Sequence, residues 1–158
     1  MLCESLVLSQ FNYCDVIYGP CIKSTEVRRI QKMQNSCLRL IHGIRKFDRI
    51  THTLYQTKWL NMCNRRKLHS ATIFFNIIKT QQPSYLHCKI RFRTDVHNLN
   101  IRFKGTLTPP LHSTRLFQRS YSYQIAHNIN NLSIDYKTIN SKKAFKKELF
   151  RFLFLNQL

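Results

Sequence analysis

Ser24-Thr25-Glu26-Val27-Arg28-Arg29-Ile30-Gln31-Lys32-Met33-Gln34-Asn35-Ser36-Cys37-Leu38-Arg39-Leu40-Ile41-His42-Gly43 carries the periodicity on which the fold turns. Val27, Ile30, Met33 (or Gln34), Cys37, Leu38 and Ile41 recur every three or four residues, the spacing of one helix face. Arg28, Arg29, Lys32 and Arg39 lie on the other face. Ser24 or Thr25 suits the N-cap, where a side-chain oxygen accepts from an orphan backbone N–H. Glu26 places negative charge in the first turn, and Gly43 supplies a left-handed stop. Such a helix must bury its apolar stripe against partners.

Those partners are predicted on both sides. Residues 1–18 end at the breaker Tyr18-Gly19-Pro20. Ile44 to Arg49 forms a basic connector, and Thr51 to Leu60 a short helix with Leu54, Tyr55 and Trp59 inward. Asn61 caps a longer helix from about Met62 to Lys79, whose stripe of Leu68, Ala71, Phe75 and Ile78 is widened by Ile73, Phe74 and Ile77. Pro83 marks a break. Between Lys89 and Lys104 the period changes to two: Ile90, Phe92, Leu99, Ile101 and Phe103 alternate with polar and basic residues, which predicts short strands or extended arms. Phe117, Tyr121, Ile125, Ile129 and Leu132 resume helical spacing. A last helix, capped by Asn140 or Ser141, sets Phe145, Leu149, Phe152 and Leu153 on one side, a face for docking on a core. The expected fold is mainly α: a helical bundle over 1–80, then an extension over 81–158. That extension comprises an extended basic segment at 89–104 and two C-terminal helices, at about 115–132 and 141–155. Only 3 Gly and 4 Pro in 158 residues agree with that class, since β-sandwiches and barrels need many tight turns.

Charge sets the expected partner. Twenty-six Lys and Arg face seven Asp and Glu, a net +19 that destabilises a compact chain by self-repulsion unless a polyanion relieves it. Nucleic acid does so by releasing condensed counterions; an anionic membrane surface is the alternative. The candidate contacts are Arg28, Arg29, Lys32, Arg39, Arg65, Arg66 and Lys67, with a second patch at Arg91, Arg93, Arg102 and Lys104. Contacts of this kind reach phosphate and are blind to sequence. Arg65, Arg66 and Lys67 crowd a helix start, where the dipole disfavours cations and an external phosphate would offset the cost. The interleaved aromatics sit mostly at core spacing, so base stacking is not expected.

Catalytic chemistry finds little support in the residue pattern. The seven carboxylates are scattered, with no Asp-x-Asp or similar element to gather metal ions for phosphoryl transfer. No Cys or His pair has zinc-site spacing, and three isolated glycines make no phosphate loop. No enzyme activity, cofactor or small-molecule substrate is expected. Six cysteines without a framework spacing are expected among apolar neighbours, as small buried hydrophobes of a reducing compartment. No apolar run reaches the roughly 18 residues needed to cross a bilayer. The chain is therefore expected to be soluble and intracellular, in nucleus or cytoplasm.

Several stretches resemble one family. Leu8-Ser9-Gln10-Phe11-Asn12-Tyr13-Cys14-Asp15-Val16-Ile17-Tyr18-Gly19, then Arg29-Ile30-Gln31-Lys32-Met33-Gln34-Asn35-Ser36-Cys37-Leu38-Arg39-Leu40-Ile41, look like the region after the polymerase palm in non-LTR retrotransposon reverse transcriptases of the jockey and CR1-like kind. Trp59-Leu60 and Arg65-Arg66-Lys67-Leu68 are similar to its next stretch; Thr108-Pro109-Pro110, Arg119 to Tyr123 and Ser141 to Leu153 resemble its tail. Ile129-Asn130-Asn131-Leu132-Ser133 stands where many relatives carry Trp-Asn-x-Leu-Pro. The resemblance implies a helical thumb and C-terminal extension that grips a primer–template duplex by its backbone, RNA or DNA. It places the catalytic carboxylates in the palm, so the remainder of a parent polymerase is an implied partner. The alternatives are an assembly piece that binds protein, or a transposon remnant without function.

Overall fold

A computed structural model describes residues 2–96, 105–132 and 137–157. The chain opens with a π-helical turn, Glu4–Leu8, that runs into α1 (Ser9–Asn12). Cys14, at φ 51°, breaks the rod before α2 (Asp15–Tyr18) and a 3-10 turn at Gly19–Cys21. Then come α3 (Ser24–His42), α4 (Thr51–Gln56), α5 (Met62–Thr80), α6 (Ser84–His87), α7 (Arg93–Val96), α8 (Arg115–Gln118), α9 (Tyr121–Asn130) and α10 (Lys142–Leu155). The mainly α class is as the periodicity predicts.

Local chemistry explains several boundaries. Gly43 stops α3 in the left-handed region at φ 62°. Asn61 caps α5, its Oδ1 accepting from the Asn64 N–H at 2.8 Å. At the start of α3 the cap differs from expectation: Lys23 is the N-cap residue, without a side-chain bond, and Ser24 and Thr25 lie inside the helix. The predicted helix at 115–132 is two helices. Ser120, extended at ψ 153°, separates α8 from α9, and Thr114 Oγ1 accepts from the Phe117 N–H at 3.3 Å to start the first.

The extended segment also departs from expectation. Among the described residues it amounts to one antiparallel bridge, Phe92 with Leu107. From Arg93 to Val96 the chain coils into α7, because Asp95 Oδ2 accepts from the Phe92 N–H at 3.0 Å and turns the backbone. The alternation at Leu99, Ile101 and Phe103 lies outside the described residues.

α5 is the central element. Its Leu68, Ala71, Phe74 and Phe75 bury against Ile125, Ala126 and Ile129 of α9 and Phe145, Leu149 and Leu153 of α10. Phe75 stacks on Phe145 at a centroid distance of 4.5 Å. Each of these Leu, Ile and Phe side chains contributes about 1.5–3 kcal/mol on burial. This core draws on residues from both sides of the division expected at residue 80. A smaller cluster joins Leu8 of the opening turn to Cys37 and Leu38 of α3, with Trp59 and Met62.

Side-chain amides lock the two clusters together at the entry to α5. Gln34, 0% exposed, donates through Nε2 to the Leu60 carbonyl at 2.8 Å. Gln31 Oε1 accepts from the Met62 N–H at 2.9 Å, and Gln157 Oε1 from the Asn61 N–H at 3.2 Å. Asn64 Nδ2 donates to the Leu153 carbonyl of α10 at 3.1 Å. Thus backbone groups that a helix start leaves orphaned are met by neutral amides from α3 and the C-terminus.

Candidate nucleic-acid interface

α3 buries Gln34, Cys37 and Leu38. At about 100° per residue, Arg28, Lys32 and Arg39 fall within about 40° of one another on the opposite side. Arg28 and Lys32 are exposed there. Arg29 is also exposed and pairs with Glu26, Nη1 to Oε1 at 3.0 Å, a surface bridge of the kind that contributes little to stability.

Arg39 has a different task. Its Nε donates to the Arg45 carbonyl and its Nη2 to the Asp48 carbonyl, both at 3.3 Å. Between them Arg45 to Asp48 forms a turn, closed by the Asp48 N–H on the Arg45 carbonyl at 3.2 Å. Asp48 Oδ2 accepts from the Arg45 N–H at 3.3 Å. At the tip Phe47 is 91% exposed, with the Lys46 ammonium 5.8 Å from its ring centroid. Arg45 and Arg49 are exposed beside it.

The triplet Arg65, Arg66 and Lys67 is contiguous in sequence but divided in space, since successive helical residues point about 100° apart. Arg65 pairs with Glu4 of the opening turn, Nη2 to Oε1 at 3.4 Å. That carboxylate supplies negative charge at the start of α5, which the sequence led us to expect from an external phosphate. Arg66 lies over Gly19, where an added Cβ would stand 2.2 Å from its Cδ. Its Nη2 is buried and has no hydrogen-bond partner among the described residues. Arg66 and Lys67 share a cleft of about 170 Å³ with Gly19, Tyr121, Gln124 and Asn128. Burial pushes the Tyr121 phenol up, so it stays protonated and donates to the Ser70 carbonyl at 3.5 Å. Arg91 is exposed and Arg93 half-buried beside the Phe92–Leu107 bridge. Arg102 and Lys104 lie outside the described residues.

Three features stand outside the interface residues singled out from the sequence. On α10, Lys143, Lys147 and Arg151 are exposed at four-residue spacing, facing away from buried Phe145, Leu149 and Leu153. Their spacing was visible; their value depended on the helix being docked. Phe47 was hidden because an aromatic in a connector has no periodic partner to reveal its side. The third is a bond between distant residues: buried Asp15 and His69 Nδ1 lie 2.6 Å apart, tying α2 to α5.

The cysteines correct another expectation. Cys14, Cys21, Cys63 and Cys88 are exposed and Cys37 alone is buried, all six being free thiols. Cys14, Cys21 and Cys88 lie at the ends of short helices and turns, which offer too little depth to cover them, and Cys63 lies on the solvent side of the first turn of α5. Burial pushes the Cys37 thiol up, with the Cys3 thiol adding to the shift. Among the described residues, no three of His, Cys, Asp and Glu gather as metal ligands, and no helix is long and apolar enough to cross a membrane.

Fold and surface together define a mainly α-helical protein whose exposed helix faces are basic. No family model, curated protein or solved structure matches the chain.

Proposed function

We propose that this chain grips the phosphate backbone of nucleic acid without reading its sequence. In this reading it is the thumb and post-thumb region of a non-LTR retrotransposon reverse transcriptase. The polymerase chemistry would reside in a palm outside this chain, and the chain itself would hold the duplex, RNA–DNA in particular. One observation carries the proposal. Exposed cations on α3 and on α10 each stand opposite a buried apolar stripe, so packing the core turns both charged faces outward. The net charge of +19 gives such faces a polyanion to seek.

The test is fluorescence anisotropy on a labelled RNA–DNA primer–template across salt. A log–log slope of several units is expected, about −0.9 per phosphate neutralised on a B-form duplex. Arg28→Glu with Lys32→Glu should flatten that slope by about one to two units. A folded wild-type sample that does not bind at low salt overturns the proposal.

A second reading has its own observation. Leu2, Leu6, Tyr13 and Ile17, from the opening turn to α2, are between 66% and 78% exposed. Such a cluster suits a protein surface, with the remainder of a polymerase as the partner. Salt-insensitive association without nucleic-acid binding would favour it.

A further inference from the structure

We infer that Phe47 is a stacking platform for an unpaired nucleobase, placed so that the chain holds a single strand or a duplex–single-strand junction as well as a backbone. The inference rests on the proposed nucleic-acid function and adds base contact to it.

An exposed phenyl ring loses the free energy that burial would bring, and this one is 91% exposed. Nor does it dangle from a loose loop. Four hydrogen bonds define its turn: two from Arg39, one across the turn from Asp48 to Arg45, and one from the Arg45 N–H to the Asp48 carboxylate. The Arg39 guanidinium bonds the carbonyls on both sides of Phe47, so the backbone that carries the ring is held and part of the ordering cost is met before a ligand arrives. Charge decides the kind of ligand. Arg45, Lys46 and Arg49 flank Phe47 in the chain against Asp48 alone, with the Lys46 ammonium 5.8 Å from the ring, and the Asp48 carboxylate is engaged with the Arg45 N–H. An apolar protein groove would strip water from those cations without reward. A nucleotide satisfies both halves, its base covering the ring and its phosphate meeting the cations. Stacking of this kind tolerates any sequence, because every base has a π-face.

The experiment uses the full chain with three ligands of equal length: a single strand, a primer–template with an overhang, and a blunt duplex. Phe47→Ala should weaken the first two by roughly 5- to 150-fold, the range for losing one stacked base. The blunt duplex should bind as before, and the salt slope should not change, because no phosphate contact is lost. Phe47→Trp should restore binding, and its emission, taken as the difference from wild type, should be quenched by the single strand and by the overhang ligand but not by the blunt duplex. Unchanged single-strand affinity in Phe47→Ala overturns the inference and assigns the ring to a protein partner. Equal weakening on all three ligands, or a flatter slope, also overturns it. Absence of salt-dependent binding in the wild type is a different failure, that of the backbone reading itself.

Discussion

Gln34 shows how a residue can mark a sequence motif and yet work inside the fold. It belongs to the Gln-Asn-x-x-Leu-Arg stretch that carries the family resemblance, and the structure buries it completely against the Leu60 carbonyl. Gln34→Leu leaves that carbonyl unmet and should destabilise the chain by about 1–3 kcal/mol in urea titration. Gly19 is fixed by proximity: at φ −54° its backbone suits any residue, but a Cβ there would collide with Arg66. Gly19→Ala should therefore cost about 1–3 kcal/mol as Arg66 is forced aside. Thiol labelling provides a third check. Cys14, Cys21, Cys63 and Cys88 should react quickly in the folded protein, and Cys37 only as it unfolds, because Cys37 is buried and burial keeps it protonated. Rapid labelling of Cys37 would contradict the packing of α3 on the opening turn.

Elements were legible where long periodicity met a capping residue. Asn61 and Gly43 were read correctly because each does its work within three residues of the helix it bounds. The break between α8 and α9 was not, since Phe117 and Tyr121 keep helical spacing across it and only Ser120 departs from the helix. α7 was missed for a related reason: one carboxylate, Asp95, bends a stretch whose alternation reads as extended. For α10 the apolar stripe argued for docking, and docking is what the core shows. Phe145→Ala should cost about 3–5 kcal/mol, since the cavity opens onto Phe75 at the centre of the bundle. A loss under about 1 kcal/mol would mean that α10 rests on α5 without supporting it.

For the whole molecule, the sequence named candidate interface cations, and the structure shows which of them are exposed and which are engaged. Total charge identifies a surface but does not say which cations are free to serve it. Of the residues singled out from the sequence, Arg39 and Arg65 are engaged with protein partners, while Arg28, Lys32 and Lys67 remain exposed. Arg39 bonds the connector that follows its own helix, whereas Arg65 pairs with Glu4 far away in the chain, a contact of which local pattern contains no trace. The amide joint at the entry to α5 has a practical consequence. Gln31, Gln34, Asn64 and Gln157 carry no charge, so dissolved ions barely screen their bonds and protons do not titrate them. Salt also relieves the self-repulsion of +19. If the chain holds a polyanion as proposed, the salt that releases it should leave the fold as firm as before, or firmer. A column wash at high ionic strength becomes a means of recovering clean, intact material.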